Sequence, residues 1–121
     1  MAVTVEHIVF DTGNAVRIAR FWAEILERDV DPGATEYFAT VGRSGDVALQ
    51  PVFMFIQVPE DKVGKNRLHV DLASADRAAD VQRAIDAGAT HVGDFDEYGA
   101  VWTTLRDPDG NVFDIAVAHS A

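Results

Sequence analysis

An α+β fold of two paired βαβββ modules is predicted by three observations on this 121-residue chain. His7 in "VEHIVFD" and His69 in "RLHVDLA" stand 62 positions apart, about half the chain. Each lies on a run that alternates apolar and polar residues with strand period, and each run is followed by a stretch of helical spacing. A repeat at a fixed offset decides how the elements assemble. Here it implies two similar modules facing each other, with a site at their shared centre.

The elements follow in order. Val3 to Phe10 alternates, with Val5, His7 and Val9 on one face and Ile8 and Phe10 on the other. Asp11 to Asn14 ends this strand with turn and N-cap chemistry. A helix is predicted from Ala15 to Glu27, where Ile18, Phe21, Trp22 and Ile25 recur at helical spacing. "DVDPGATE" reads as a loop, Tyr37–Val41 as a strand, and Gly42 to Asp46 as a turn. In "VALQPVFMFIQV", Pro51 separates two short strands, because proline cannot donate within a ladder.

The second half repeats the scheme. Arg67 to Ala73 places Leu68, Val70 and Leu72 on one face and Arg67, His69 and Asp71 on the other. Ser74 or Asp76 caps a helix that runs to Ala87, with Ala78, Val81 and Ile85 as its stripe and Gly88 as its C-terminal cap. A short strand near His91 and Val92 comes next, then a strand over Ala100–Arg106. Asp107 to Asn111 ("DPDGN") is a hairpin turn leading into Val112–Ala118. Residues 59–66 ("PEDKVGKN") connect module one, 1–60, to module two, 64–121, within a single domain 1–121.

Composition bounds the function. Apolar content of 48% and charged content of 25% describe a globular chain long enough for a core. No apolar run approaches the length of a membrane span, and the opening residues lack a basic segment with an apolar stretch behind it. Neither a span nor a signal peptide is expected, and a cytoplasmic location is. With no cysteine there is no disulfide, thiolate nucleophile or cysteine-ligated metal. A net charge of −10, with ten scattered Lys and Arg, argues against nucleic acid. The acidic balance serves solubility and would favour cationic ligands.

Strand parity carries the chemistry. The helices should cover the face bearing Ile8 and Phe10, Leu68, Val70 and Leu72, and Phe113, Ile115 and Val117. The opposite face then carries His7, His69 and Asp114, an assignment that a one-residue slip would reverse. Two imidazoles and a carboxylate are the ligand set of a facial metal site with positions left open for substrate. Plainer readings stand beside it: His7 as a polar pocket lining, His69 as a hydrogen-bonded sheet histidine, Asp114 as an acid solvated at an edge. Asp114 is the most telling, because a buried unpaired carboxylate costs several kcal/mol and so demands a cation, a donor or water.

Neighbouring side chains fill out the site. Asp71 shares the face of His69 and can orient its ring from behind. Trp102, Thr104 and Arg106 share one parity and, with Phe53, Phe55 and Gln57, form the expected substrate pocket, since aromatic surfaces line small-molecule sites. Trp22, on a helix stripe, is core. Lys62, Lys65 and Arg67 form a basic patch, read either as solvated loop charge or as a rim that holds an anionic substrate group.

The paired plan, together with "HIVFD", "FWAEIL", "VPEDKVGKNRLHVDL", "DAGAT" and "DPDGNVFDI", resembles the vicinal oxygen chelate superfamily over nearly the whole chain. "KNRLHVDL" and "DPDGN" are its more specific pieces. That superfamily covers glyoxalase I, bleomycin-resistance proteins, fosfomycin-resistance enzymes and extradiol dioxygenases, and the likeness is greatest to small glyoxalase-like domain proteins. The resemblance implies a cupped, barrel-like mixed sheet with helices on its outer face, around a central pocket, often in a homodimer. In the enzymatic members a divalent metal takes ligands from the first, fifth and last strands, and His7, His69 and Asp114 match those positions.

Two departures narrow the reading. Asp114 stands where the metal-dependent members usually carry Glu. Glyoxalase I also draws a fourth ligand, generally a carboxylate, from the fourth strand. The 62-residue offset leads from Asp114 to Val52, and "VFMFIQV" holds no acid, with Gln57 its sole polar side chain. Without that acid the proton shuttling of glyoxalase I is hard to supply. The resemblance therefore implies either of two classes. One is an enzyme using Fe, Mn, Ni, Zn or Co on a small oxygenated metabolite, of lyase, isomerase, transferase or dioxygenase type. The other is a metal-free binding or sequestration protein of the bleomycin-resistance kind. Tyr37, Tyr98 and Glu97 are the candidate bases.

Overall fold

The computed structural model describes residues 2–118, and Met1 and residues 119–121 of the expected domain lie outside it. In chain order come β1 (His7–Thr12), α1 (Ala15–Leu26), β2 (Phe38–Val41), β3 (Val52–Gln57), β4 (Val70–Ser74), α2 (Arg77–Ala87), β5 (Thr90–Glu97), β6 (Ala100–Arg106) and β7 (Val112–Val117). The chain divides between Asp61 and Lys62 into two compact units. The fold class is α+β, with one helix and one mixed sheet in each unit. None of the helices described is long and apolar enough to cross a membrane.

In the first unit the strand order is β1-β3-β2, with β1 parallel to β3 and β2 antiparallel to it. Asn14 starts α1 by accepting the N–H of Arg17 at 3.1 Å. The expected stripe of Ile18, Phe21, Trp22 and Ile25 is buried. Phe10 meets Trp22 at 5.5 Å between ring centroids, Phe53 at 5.5 Å and Phe55 at 5.0 Å. Each such side chain contributes about 1.5–3 kcal/mol by leaving water. This cluster pins the register: Ile8 and Phe10 face the helix, and alternation sends His7 and Val9 to the other face.

Two expectations differ here. The first strand starts at His7 rather than Val3, and Val3 is 96% exposed. No strand forms over residues 47–50, so this unit is βαββ rather than βαβββ. The backbone there is claimed by other partners: Leu49 N–H donates to Gly42 O at 2.7 Å, and Arg28 Nη1 donates to Val47 O at 2.5 Å. An isolated antiparallel bridge joins Val30, in the loop after α1, to Val41 at the free edge of β2.

The second unit orders its strands β4-β7-β6-β5, the same scheme with one more strand at the edge. Asp76 caps α2 by accepting the N–H of Ala79 at 3.2 Å, and Gly88 ends it at φ 123°. The helix stripe differs from expectation: Ala84 is the fully buried residue, while Ala78 and Ile85 are exposed. The inward face also carries Arg77, whose Nη1 donates to the buried Thr103 Oγ1 at 2.6 Å. Polar anchoring thus takes the place of one apolar contact. β5 is eight residues long, well beyond the short strand near His91, and joins β6 through Tyr98 and Gly99 at φ 56° and 75°. Asp107 organises the next turn, its Oδ1 accepting the N–H groups of Asp109 and Asn111 at 3.0 and 2.9 Å.

Candidate functional site

Register decides which side chains share a surface in the second unit. Asp71 pairs with Asp114 across β4 and β7, and Thr104 pairs with Asp114 across β6 and β7. Phe113, Ile115 and Leu105 are buried on the helix side. Asp71, Asp114 and Thr104 therefore occupy the opposite face, together with Trp102 and Arg106 by alternation. His69 immediately precedes β4, and its Nε2 lies 3.1 Å from Asp114 Oδ2. Thr104 Oγ1 donates to Asp114 Oδ1 at 2.6 Å. Trp102 stacks on Phe95 of β5, with centroids 5.3 Å apart and ring planes 18° from parallel.

Asn66 explains how the segment before β4 is held. Its side chain accepts the N–H of Val112 at 3.2 Å and donates to Val112 O and Leu68 O at 3.1 Å each. An amide side chain thereby replaces a missing rung of ladder beside β7. His69 is set against Asp114 by this clamp.

The chemistry of the pair fits a metal. Adjacent ligands on an octahedral ion, at bonds of about 2.1 Å, sit about 3 Å apart, and His69 and Asp114 already have that spacing. The side chain of Asp114 is 16% exposed and that of His69 51%, so the pair is open to an ion from the His69 side. Thr104 fixes one carboxylate oxygen and leaves the other toward the imidazole.

His7 belongs to the first unit, where it opens β1 opposite Val52. Arg43 Nη2 donates to His7 Nε2 at 2.6 Å. Because a guanidinium can only donate, His7 presents a bare Nε2 lone pair, and its ring proton is on Nδ1. Arg43 is brought there by Asp31, which is 6% exposed. Asp31 Oδ1 accepts Ser44 N–H at 2.9 Å and Ser44 Oγ at 2.6 Å. Its Oδ2 accepts Arg43 N–H at 2.9 Å and Thr40 Oγ1 at 2.6 Å. Burial alone would raise this acid, but those four donors outweigh it and bring its pKa to about 2.

The other expected site residues divide. Trp102, Thr104, Arg106 and Asp71 share the face of Asp114. Phe53 and Phe55 are buried on the helix side with Phe10 and Trp22, and Gln57 follows them there, donating from Nε2 to Gly13 O at 3.1 Å. The counterpart of Asp114 in the first sheet is Met54: it pairs with Val9, two residues after His7, as Asp114 pairs with Asp71, two residues after His69. The uniform offset had pointed to Val52. Among the candidate bases, the Tyr37 hydroxyl is raised above its ordinary pKa by a hydrogen bond with Glu36 and the charge of that acid, which keeps it protonated. Tyr98 is fully exposed at a hairpin tip. Among the described residues no three His, Asp or Glu side chains are gathered to hold an ion. Arg43, Asp31 and Phe95 were not anticipated; Arg43 and Asp31 lie in polar loops with no periodicity to read.

The glyoxalase-like domain family matches residues 7–116. No curated protein matches the chain. Among solved structures, a glyoxalase/bleomycin resistance protein/dioxygenase family enzyme from Burkholderia phytofirmans superposes with a TM-score of 0.78 at 17% identity, covering 97% of this chain and 100% of its own. A fosfomycin resistance protein, FosX, from Mesorhizobium loti gives 0.73 at 14% identity, covering 98% and 95%. A glyoxalase-related enzyme from Fulvimarina pelagi gives 0.72 at 16% identity, covering 96% and 88%. Likeness at these identities is a likeness of fold, that of the vicinal oxygen chelate proteins.

Proposed function

The chain belongs to the glyoxalase-like domain family, and from that premise we propose that it is a metal-dependent enzyme acting on a small oxygenated metabolite. His7, His69 and Asp114 are the ligands in this reading, for a divalent ion such as Fe, Mn, Ni, Zn or Co. An ion held there supplies Lewis acidity toward adjacent substrate oxygens. The protein's own residues do the rest. Thr104 holds the Asp114 carboxylate by donating to Oδ1 at 2.6 Å, and Asp71 lies beside it in register. The stacked Trp102 and Phe95 offer an apolar wall, and Arg106 a cation on the same face, for the organic part and a negative group of the substrate.

The observation that carries the reading is the 3.1 Å approach of His69 Nε2 to Asp114 Oδ2 across neighbouring strands. Lyase, isomerase, transferase and dioxygenase chemistries all accommodate it. The isomerisation of glyoxalase I is disfavoured by Met54, a thioether where a carboxylate would be needed. The reading includes a cytoplasmic homodimer.

The second reading is a metal-free binding protein of the bleomycin-resistance kind, and one observation favours it: the His7 lone pair is already taken by Arg43. Elemental analysis separates the two. Protein purified without an affinity tag or chelator should carry close to one equivalent of a transition metal per chain, and His7→Ala should lose it. A chain that stays metal-free after reconstitution, yet binds cationic aromatic ligands tightly, would establish sequestration instead.

A further inference from the structure

Arg43 has no part in the ligand set, yet it occupies the atom that set requires. Its Nη2 donates to His7 Nε2 at 2.6 Å, and an imidazole nitrogen has one in-plane lone pair. A guanidinium and a metal ion cannot both use it. The backbone that carries Arg43 is held in place. Both carboxylate oxygens of the buried Asp31 are spent on fixing the segment that bears Arg43, through the N–H groups of Arg43 and Ser44 and the hydroxyls of Ser44 and Thr40. Gly42, at φ 102°, makes the bend immediately before it, and Leu49 lies against the position where any side chain of residue 42 would go. Among the described residues no carboxylate pairs with the Arg43 guanidinium, although the chain has 20 Asp and Glu against 10 Lys and Arg.

We propose that Arg43 is a built-in competitor for the metal-binding lone pair of His7, so that loading of the ion and release of the guanidinium are one coupled event. The inference rests on the assignment of His7 as a ligand. By reciprocity, whatever the guanidinium gains at His7 the ion must overcome, and each cation weakens the other by the same factor. Charge adds to this, since a fixed positive group beside the site opposes a divalent cation. The released guanidinium keeps its planar fork of donors for an anionic group. Loading the ion therefore leaves Arg43 free for a carboxylate or phosphate on the ligand.

The test is isothermal titration of Co2+ alone into the full chain, comparing wild type, Arg43→Gln and Arg43→Lys, with the His7 ring nitrogens followed by NMR. Arg43→Gln should bind Co2+ about tenfold more tightly, which corresponds to about 1.4 kcal/mol of competition removed. Arg43→Lys, which keeps the charge but not the fork, should fall between the two. Without metal, wild-type His7 should carry its proton on Nδ1, and Arg43→Gln should shift the tautomer mixture toward Nε2. Equal Co2+ affinity in wild type and Arg43→Gln, or a wild-type His7 protonated on Nε2, overturns the competition while leaving the metal assignment standing. Absence of Co2+ binding in all three proteins overturns both.

Discussion

At the scale of single residues, two acids are set apart by their partners. Asp31 is tied down by four donors inside the first unit and has no free lone pair to offer a ligand. Its folded pKa of about 2 lies below the ordinary 3.8. The stability it contributes is fully present above the ordinary value and is lost as pH falls through the folded one. Acid titration of unfolding should show wild type losing stability between about pH 4 and 2, and Asp31→Asn should be less stable by about 1–3 kcal/mol at neutral pH but flatter in that window. Asp114 has one oxygen held by Thr104 and the other facing His69. Thr104→Val removes the hydroxyl that bonds Asp114 while keeping the shape. Metal affinity should fall by about tenfold, in the range seen when outer partners of ligands are removed, with the melting temperature little changed. A loss of affinity equal to that of Asp114→Ala would instead make Thr104 a ligand.

At the scale of elements, what was legible follows the balance between periodic and aperiodic interactions. α1 was readable from Ile18, Phe21, Trp22 and Ile25 because a helix covering a sheet must bury a stripe, and those residues are buried. β6 was readable because Trp102, Thr104 and Arg106 alternate with the buried Thr103 and Leu105. β5 was mostly missed: it is an edge strand, exposed over nearly its whole length and irregular between His91 and Gly93, so neither face imposes an apolar period. The stripe of α2 was misplaced because Arg77 and Asp80 do part of the anchoring, and Ser74 Oγ donates to Asp80 Oδ2 at 2.5 Å. That His69 and Asp114 share a face was legible from strand parity, whereas Arg43 was invisible because its position depends on Asp31, twelve residues earlier, through hydrogen bonds that leave no pattern. The weight of α1 is measurable. Trp22, 1% exposed and in ring contact with Phe10, Phe21 and Phe53, should cost about 3–5 kcal/mol on replacement by Ala, read by chemical denaturation. A loss under 1 kcal/mol would show that the aromatic cluster does not hold β1 in register.

At the scale of the whole molecule, the two units share a strand scheme and differ in content. Each unit has one strand parallel to its centre strand and one antiparallel to it. The first unit lacks the outer strand and replaces the acid with Met54, while the second keeps the acid and the longer sheet. A histidine opens each half, but each has taken a different polar partner, Arg43 in one and Asp114 in the other. That inequality is why a single carboxylate governs the proposed ligand set. Calorimetric titration of one divalent metal into chelator-stripped wild type, His69→Ala and Asp114→Ala is the most direct measurement. The account predicts one ion per chain for wild type and at least a hundredfold weaker binding for either variant; wild-type affinity retained in both variants would contradict it.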